Sequence, residues 1–303
     1  MIVGDNSSVY RLLIWQWRSV VLFTVVGTIV TALHEFDVIR FKLPALPLGV
    51  VGGALGIFVS FRTNNAYARW WEGRQHWGKL INSSRHFASQ VLNYLQPIDG
   101  VDLGAVKREI VLRHVAYVHT LRAHLRKQDI LADEHVARLI SDDARKALAR
   151  EKNIPYAILH EQFAQLEDLS TRGAIDPYRL QGFDRLINDF LDVQGACERI
   201  KNTPMPKSYG FIGERLIWAY ACLFPFAIWD DMGWLTIPSN VLVCIAFTLI
   251  GEVGRVLEDP FNMFFNTLPI SALSTTIEIN LRQRLGDTEL PEDPKPVPPG
   301  VLY

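Results

Sequence analysis

Cysteine is scarce in this chain: Cys197, Cys222 and Cys244 are the three among 303 residues, and they stand far apart. With no CxxC pair, they form neither a metal knuckle nor a secreted disulfide framework, and they read as packing residues, two of them inside apolar stretches. An excess of charge of one sign is also missing: the net charge is −1, so the chain lacks the basic footprint of a nucleic-acid partner. There is no HExxH, GxSxG, Walker loop or dinucleotide fingerprint, and nothing suggests an enzyme. No convincing alternating strand run and no repeat of fixed period occurs. His114, His119 and His124 follow one another at five-residue spacing, which on a helix turns successive rings by about 140°. They share no metal face, so no metal and no cofactor is assigned. The acidic pairs Glu151 with Glu161 and Asp142 with Asp143 read as solvated helix surface.

What the chain does have is apolar length. It is 49% hydrophobic and 21% charged, with a mean hydropathy of +0.10, too apolar for an ordinary soluble domain and too charged for spans alone. Leu43 to Phe61 is nineteen residues without a charge, against the roughly 20 a helix needs to cross a bilayer. The block Arg62 to Gly78 follows, with Trp70, Trp71 and Trp77 suited to the membrane interface and Arg62, Arg69, Arg74, Lys79 and Arg85 marking a cytoplasmic flank. Three more apolar runs are Ser19 to Leu33, extendable backwards through Leu12, Ile14, Trp15 and Trp17, then Leu216 to Trp229, and Trp234 to Ile250. The last two are short for a bilayer, but their pairing around Asp230, Asp231, Met232 and Gly233 favours two hairpins. Only Arg11 and Arg18 precede the first run and no cleavage site follows it, so the first span is expected to stay. Basic residues gather before the third run and after the second, which predicts both hairpin turns outside and both termini in the cytoplasm.

Between the hairpins, the apolar positions Val106, Ile110, Val111 and Val115, and Phe163, Leu166 and Leu169, carry helical period. Breakers at Pro97 to Gly104, Asn153 to Pro155 and Gly173 to Pro177 predict about three or four amphipathic helices in water. The expected organisation is a first transmembrane hairpin with its extension over 1–85, a cytosolic helical domain over 86–207, a second hairpin over 208–251, and a C-terminal helix with a Pro-rich tail over 252–303. The tail from Pro291 to Leu302 is expected to be extended or disordered.

Within the second span, Gly49, Gly53, Ile57 and Phe61 recur every four residues, a stripe passing from bare backbone to bulky apolar side chains. Gly52, Gly56 and Ser60 form a small-residue stripe beside it. Both stripes fit helix packing in lipid. They also fit several copies around an axis, the small stripe against a neighbour and Ile57 and Phe61 ringing a passage that closes by dewetting.

The run GIFVSFRTNNAYARWWEGRQHWGKLINSSR, Gly56 to Arg85, resembles the bacterial bestrophin homologues, as do CERIKNTPMPKSY, Cys197 to Tyr209, and the EDPFNMF and LPISALSTTIEINLRQ pieces within Glu258 to Gln283. The resemblance implies an all-α membrane protein with four transmembrane helices per subunit and a cytosolic helical domain, assembled as a homopentameric ion channel with one central pore. It implies a hydrophobic neck at Gly53, Ile57 and Phe61, and a cytosolic aperture at Met205 between Pro204 and Pro206. Gly53 departs from the pattern, which has a bulky aliphatic there. Animal members carry an acidic calcium-binding run after the equivalents of Asp259, Pro260 and Phe261; here Asn262 to Asn266 offers few oxygen ligands, so no calcium clasp is expected. Glu258 and Asp259 then read as a helix-ending salt bridge. The reading is a passive pore for monovalent ions, chloride or sodium/potassium, in the cell (inner) membrane, with lipid and identical subunits as its partners. Nothing in the uncharged stripe decides anion against cation. A secondary transporter would show ionisable residues at mid-membrane, which these spans lack; a non-conducting structural or signalling protein would explain the spans equally well.

Overall fold

The computed structural model describes residues 16–297 and 300–303. Arg11, Leu12, Ile14 and Trp15, and Pro298 and Pro299 of the tail, lie outside the described residues. In chain order the α-helices are α1 (Trp17–Glu35), α2 (Ala45–Tyr94), α3 (Leu103–Leu125), α4 (Glu134–Leu139), α5 (Asp142–Leu148), α6 (Ile154–Thr171), α7 (Pro177–Asn202), α8 (Lys207–Met232), α9 (Thr236–Leu257) and α10 (Ile270–Arg284). Among the described residues there is no strand, only an isolated bridge between Val297 and Val301. The helices pack as two compact units, one of residues 16–70 with Pro204–Asp259, the other of Trp71–Thr203 with Pro260–Tyr303.

Among the described residues, three stretches are long and apolar enough to cross a membrane: Trp17–Glu35, Ala45–Tyr94, which begins in the first unit and ends in the second, and Gly210–Leu257. The third comprises α8, a 3₁₀ turn at Gly233–Leu235, and α9. Gly233, at φ +52°, ends α8 in a conformation that costs glycine little, whereas Pro225 sits inside α8 without ending it. The shared core draws Phe23 from α1, Leu48, Leu55 and Val59 from α2, Tyr220 and Ala221 from α8, and Cys244 from α9. Close approach substitutes for a hydrophobic drive that lipid does not supply. A Cβ at Gly27 would lie 3.3 Å from Ile237 Cα, and buried Asn240 donates from Nδ2 to the Phe23 carbonyl at 3.1 Å.

In the second unit, α3 is the central element, buried almost all round from Ile110 to Leu125 and packed by α4, α6, α7 and α10. Side-chain caps set the helix starts. Asp102 accepts from Gly104 N and Ala105 N at 2.9 and 3.1 Å, Asn153 from Tyr156 N at 3.2 Å, and Asp176 from Tyr178 N at 2.9 Å. These fall where the sequence punctuation put breaks. Two short helices went unforeseen, α4 and α5, capped by Asp133 and Ser141.

Three expectations are corrected. Trp77 is not an interfacial ring: it is fully buried in the second unit, beside other core residues of α2 such as Leu80. Cys222 is exposed, unlike Cys197 and Cys244, because it lies on the outer face of α8. The tail lacks regular structure over 291–296, but its end is docked: Tyr303 O accepts from Ala272 N at 2.8 Å and Val301 is buried.

Candidate functional site

The second apolar run opens α2, which runs unbroken for 50 residues in all, from Ala45 to Tyr94. Its spanning portion has two faces. Leu48, Leu55 and Val59 point into the core of the first unit. On the other side a Cβ built at Gly49 or Gly53 meets nothing within 4 Å, and Ile57 and Phe61 are 60% and 65% exposed. Large apolar side chains left bare along a helix flank mark a surface that something else covers or that faces a non-aqueous or dewetted space. The four residues that the spacing aligned are therefore on one uncovered face of the chain.

The neighbouring small stripe behaves differently. A Cβ at Gly52 would come within 2.7 Å of Tyr220 Oη, and one at Gly56 within 3.4 Å of Phe247 Cε1. Gly52 and Gly56 thus admit side chains of the same chain's α8 and α9, which corrects the alternative in which they pack on a neighbouring copy. Tyr220 itself stacks on Phe224 at 5.3 Å and meets Phe247 edge-on at 5.9 Å. Ser60 is exposed.

Met205 is half-buried in the non-helical stretch 204–206, and Pro206, at φ −53° and ψ 120°, is the residue from which α8 starts. A proline on each side removes backbone donors and keeps the segment out of both helices.

Arg62, at the end of the apolar run, is not a free flanking charge. Its Nε and Nη2 both donate to Glu258 Oε1, at 3.1 and 2.7 Å, and Arg69 Nε donates to the Glu258 carbonyl at 3.3 Å. Glu258 is the C-cap of α9, so the helix-ending ion pair is present. Beside it, Thr63 Oγ1 donates to Ile250 O at 3.0 Å, and Gly254 leaves room for Thr63. In the Asn262 to Asn266 loop, the Asn262 carbonyl accepts from Thr267 Oγ1 at 2.8 Å and Asn266 adopts φ +66°.

The three evenly spaced histidines of α3 diverge, as their angular step requires. His114 Nε2 lies 2.9 Å from Ser84 Oγ, with the Phe190 ring at 4.4 Å, and burial pushes its imidazole down to about 3. His124 Nε2 approaches Glu198 at 3.4 Å. His119 Nε2 reaches Glu278 Oε2 at 2.8 Å, and there His135 of α4 stacks on it, centroids 4.5 Å apart. The cluster of His119, His135 and Glu278 escaped the sequence reading, since spacing within one helix carries no signal for partners on two others.

The family model described as Bacterial/Fungal Bestrophin protein matches residues 6–283. A voltage-dependent anion channel-forming protein of Nostoc sp. is 31% identical over 267 residues, covering 88% of this chain and 85% of the relative. The voltage-dependent anion channel-forming protein YneE of Escherichia coli is 31% identical over 255 residues, covering 82% and 80%. Among solved structures, a bacterial bestrophin homologue from Klebsiella pneumoniae is similar with a TM-score of 0.83 at 27% identity, covering 89% of this chain and 98% of that one. With a family match over residues 6–283 and 31% identity to relatives across more than four-fifths of its length, the chain belongs to the bacterial and fungal bestrophin family.

Proposed function

We propose that the chain is one subunit of a homopentameric ion channel of the cell membrane. In this reading α1, the first part of α2, α8 and α9 are four transmembrane helices. Both termini are cytoplasmic, and the helical segment between the hairpins forms a cytosolic domain. The observation that carries the reading is the uncovered stripe Gly49, Gly53, Ile57 and Phe61 on a helix long enough to span.

Five such stripes around an axis give a passage that is wide at the two glycines and narrows at two apolar rings. Water leaves an apolar constriction easily, and an ion does not pass without its hydration, so Ile57 and Phe61 gate by dewetting. Gly53 withdraws one ring from that neck. Met205 forms a second restriction at the cytosolic exit, built from a soft, flexible side chain. Permeation is passive, and monovalent ions, lipid and four identical subunits are the partners. The relatives named as anion channel-forming proteins support anions as the conducted species.

A reversal-potential measurement on purified protein in planar bilayers across a KCl gradient tests this. A current reversing near the chloride equilibrium potential is the expected result. Reversal near the potassium potential overturns the anion assignment, and absence of current from correctly assembled protein overturns the channel.

A further inference from the structure

We propose that His119, His135 and Glu278 form a binding site for a zinc-class first-row divalent cation, reached through the cleft beside α4. One ligand atom from each residue lies within 4.8 Å of the other two. His119 Nε2 is 2.8 Å and His135 Nδ1 3.6 Å from the same Glu278 oxygen, Oε2. Ligands held about 2.0–2.1 Å from a tetrahedral zinc stand roughly 3.3 Å apart, so small rotations of the imidazoles bring all three into range. The donor set of two nitrogens and one oxygen suits zinc and its first-row neighbours and does not suit calcium or magnesium, which take oxygen shells.

The geometry already converges on one point: His119 Nε2 and His135 Nδ1 face the same Glu278 oxygen, and His135 Nδ1 also lies 3.2 Å from Arg138 Nη2. An entering cation takes the place of the ring proton that faces Glu278 and of the exposed Arg138 guanidinium at His135, so its binding releases a proton.

The surrounding arginines do not repel a cation outright. Arg122 pairs with Asp133, and Arg282, which also touches Glu278 Oε1 at 3.2 Å, pairs with Asp287 at 2.8 Å. Arg138 is in solvent. His119 and Glu278 are closed off from water, while His135 is part-exposed and lines a cleft of about 430 Å³ together with Ser271, Thr275 and Tyr303. The cleft supplies a route for the ion to His135. The bound ion ties the six-residue α4 to α3 and α10.

The test is titration of ZnCl₂ into the full-length, tag-free, detergent-solubilised protein by calorimetry, with Co²⁺ absorption reading the ligand geometry and thermal unfolding reading the linkage. The variants are His135→Asn, whose side chain sits at the cleft and empties no core, and Glu278→Gln. The expected result is one Zn²⁺ per chain, affinity at least roughly tenfold weaker in either variant, and a zinc-dependent rise in unfolding temperature that the variants lose. If wild type takes up no Zn²⁺, or His135→Asn binds it with unchanged affinity and stoichiometry, the triad is a hydrogen-bonded tie only and the proposal falls. Should Glu278→Gln fail to fold, His135→Asn decides alone.

Discussion

Arg62 places two guanidinium nitrogens on a single oxygen of Glu258, at 3.1 and 2.7 Å, and thereby fastens the end of the apolar run of α2 to the C-cap residue of α9. The arginine side chain is 12% exposed, so it has little water to fall back on. Removing the carboxylate leaves a nearly buried cation without its partner. Glu258→Ala is expected to cost on the order of 2 kcal/mol, read as a lowered unfolding temperature in detergent, with Glu258→Gln losing less because an amide oxygen still accepts. An unfolding temperature unchanged in both variants contradicts this role.

The two glycines that follow one another on α2 should answer oppositely to a methyl group. At Gly52 the new Cβ collides with Tyr220, whose ring is locked between Phe224 and Phe247. Gly52→Ala is expected to destabilise by about 1–3 kcal/mol. At Gly53 nothing stands within 4 Å, so Gly53→Ala gains up to about 1 kcal/mol of helix propensity. Gly53→Ile, which restores the bulky ring, is expected to fold normally and reduce current. Equal stability losses at both positions, or an undiminished Gly53→Ile current, count against the assigned faces.

Acid should loosen the helical unit through His114. Its folded imidazole titrates at about 3 because of burial, against 6.5 for the exposed group. Between those values the unfolded chain binds a proton that the folded chain refuses, so stability present above 6.5 is lost as the pH falls towards 3. The slope from this one group is at most about 1.4 kcal/mol per pH unit. Thermal melts of wild type and His114→Gln across that window should diverge, the variant falling less steeply; parallel melts contradict it.

Much of the architecture was legible because it is written locally. Asp102, Asn153 and Asp176 announced helix starts through a preference each carries in its own side chain, and the uncharged run after Leu43 announced a span by length alone. The four-residue recurrence of Gly53, Ile57 and Phe61 likewise put them on one face, and that face is uncovered in the chain. What sequence did not convey is which face meets what. Trp77 looked like an interfacial ring from its neighbours Trp70 and Trp71, yet a helix that continues past the apolar run carries it into a different core. The partner of Gly52 is Tyr220, and the partner of His119 is Glu278, 159 residues away. Periodicity reports a helix's own faces and is silent about the helices packed against them. α4 and α5, of six and seven residues, are too short to show a period at all.

The proposed channel depends on Phe61 facing an ion pathway. Paired recordings of wild type and Phe61→Ala in planar bilayers, with assembly state verified for both, test it most directly. Shrinking the ring to methyl groups should widen and wet the neck, so conductance or open probability should rise severalfold. Identical currents from a correctly assembled Phe61→Ala protein would contradict it.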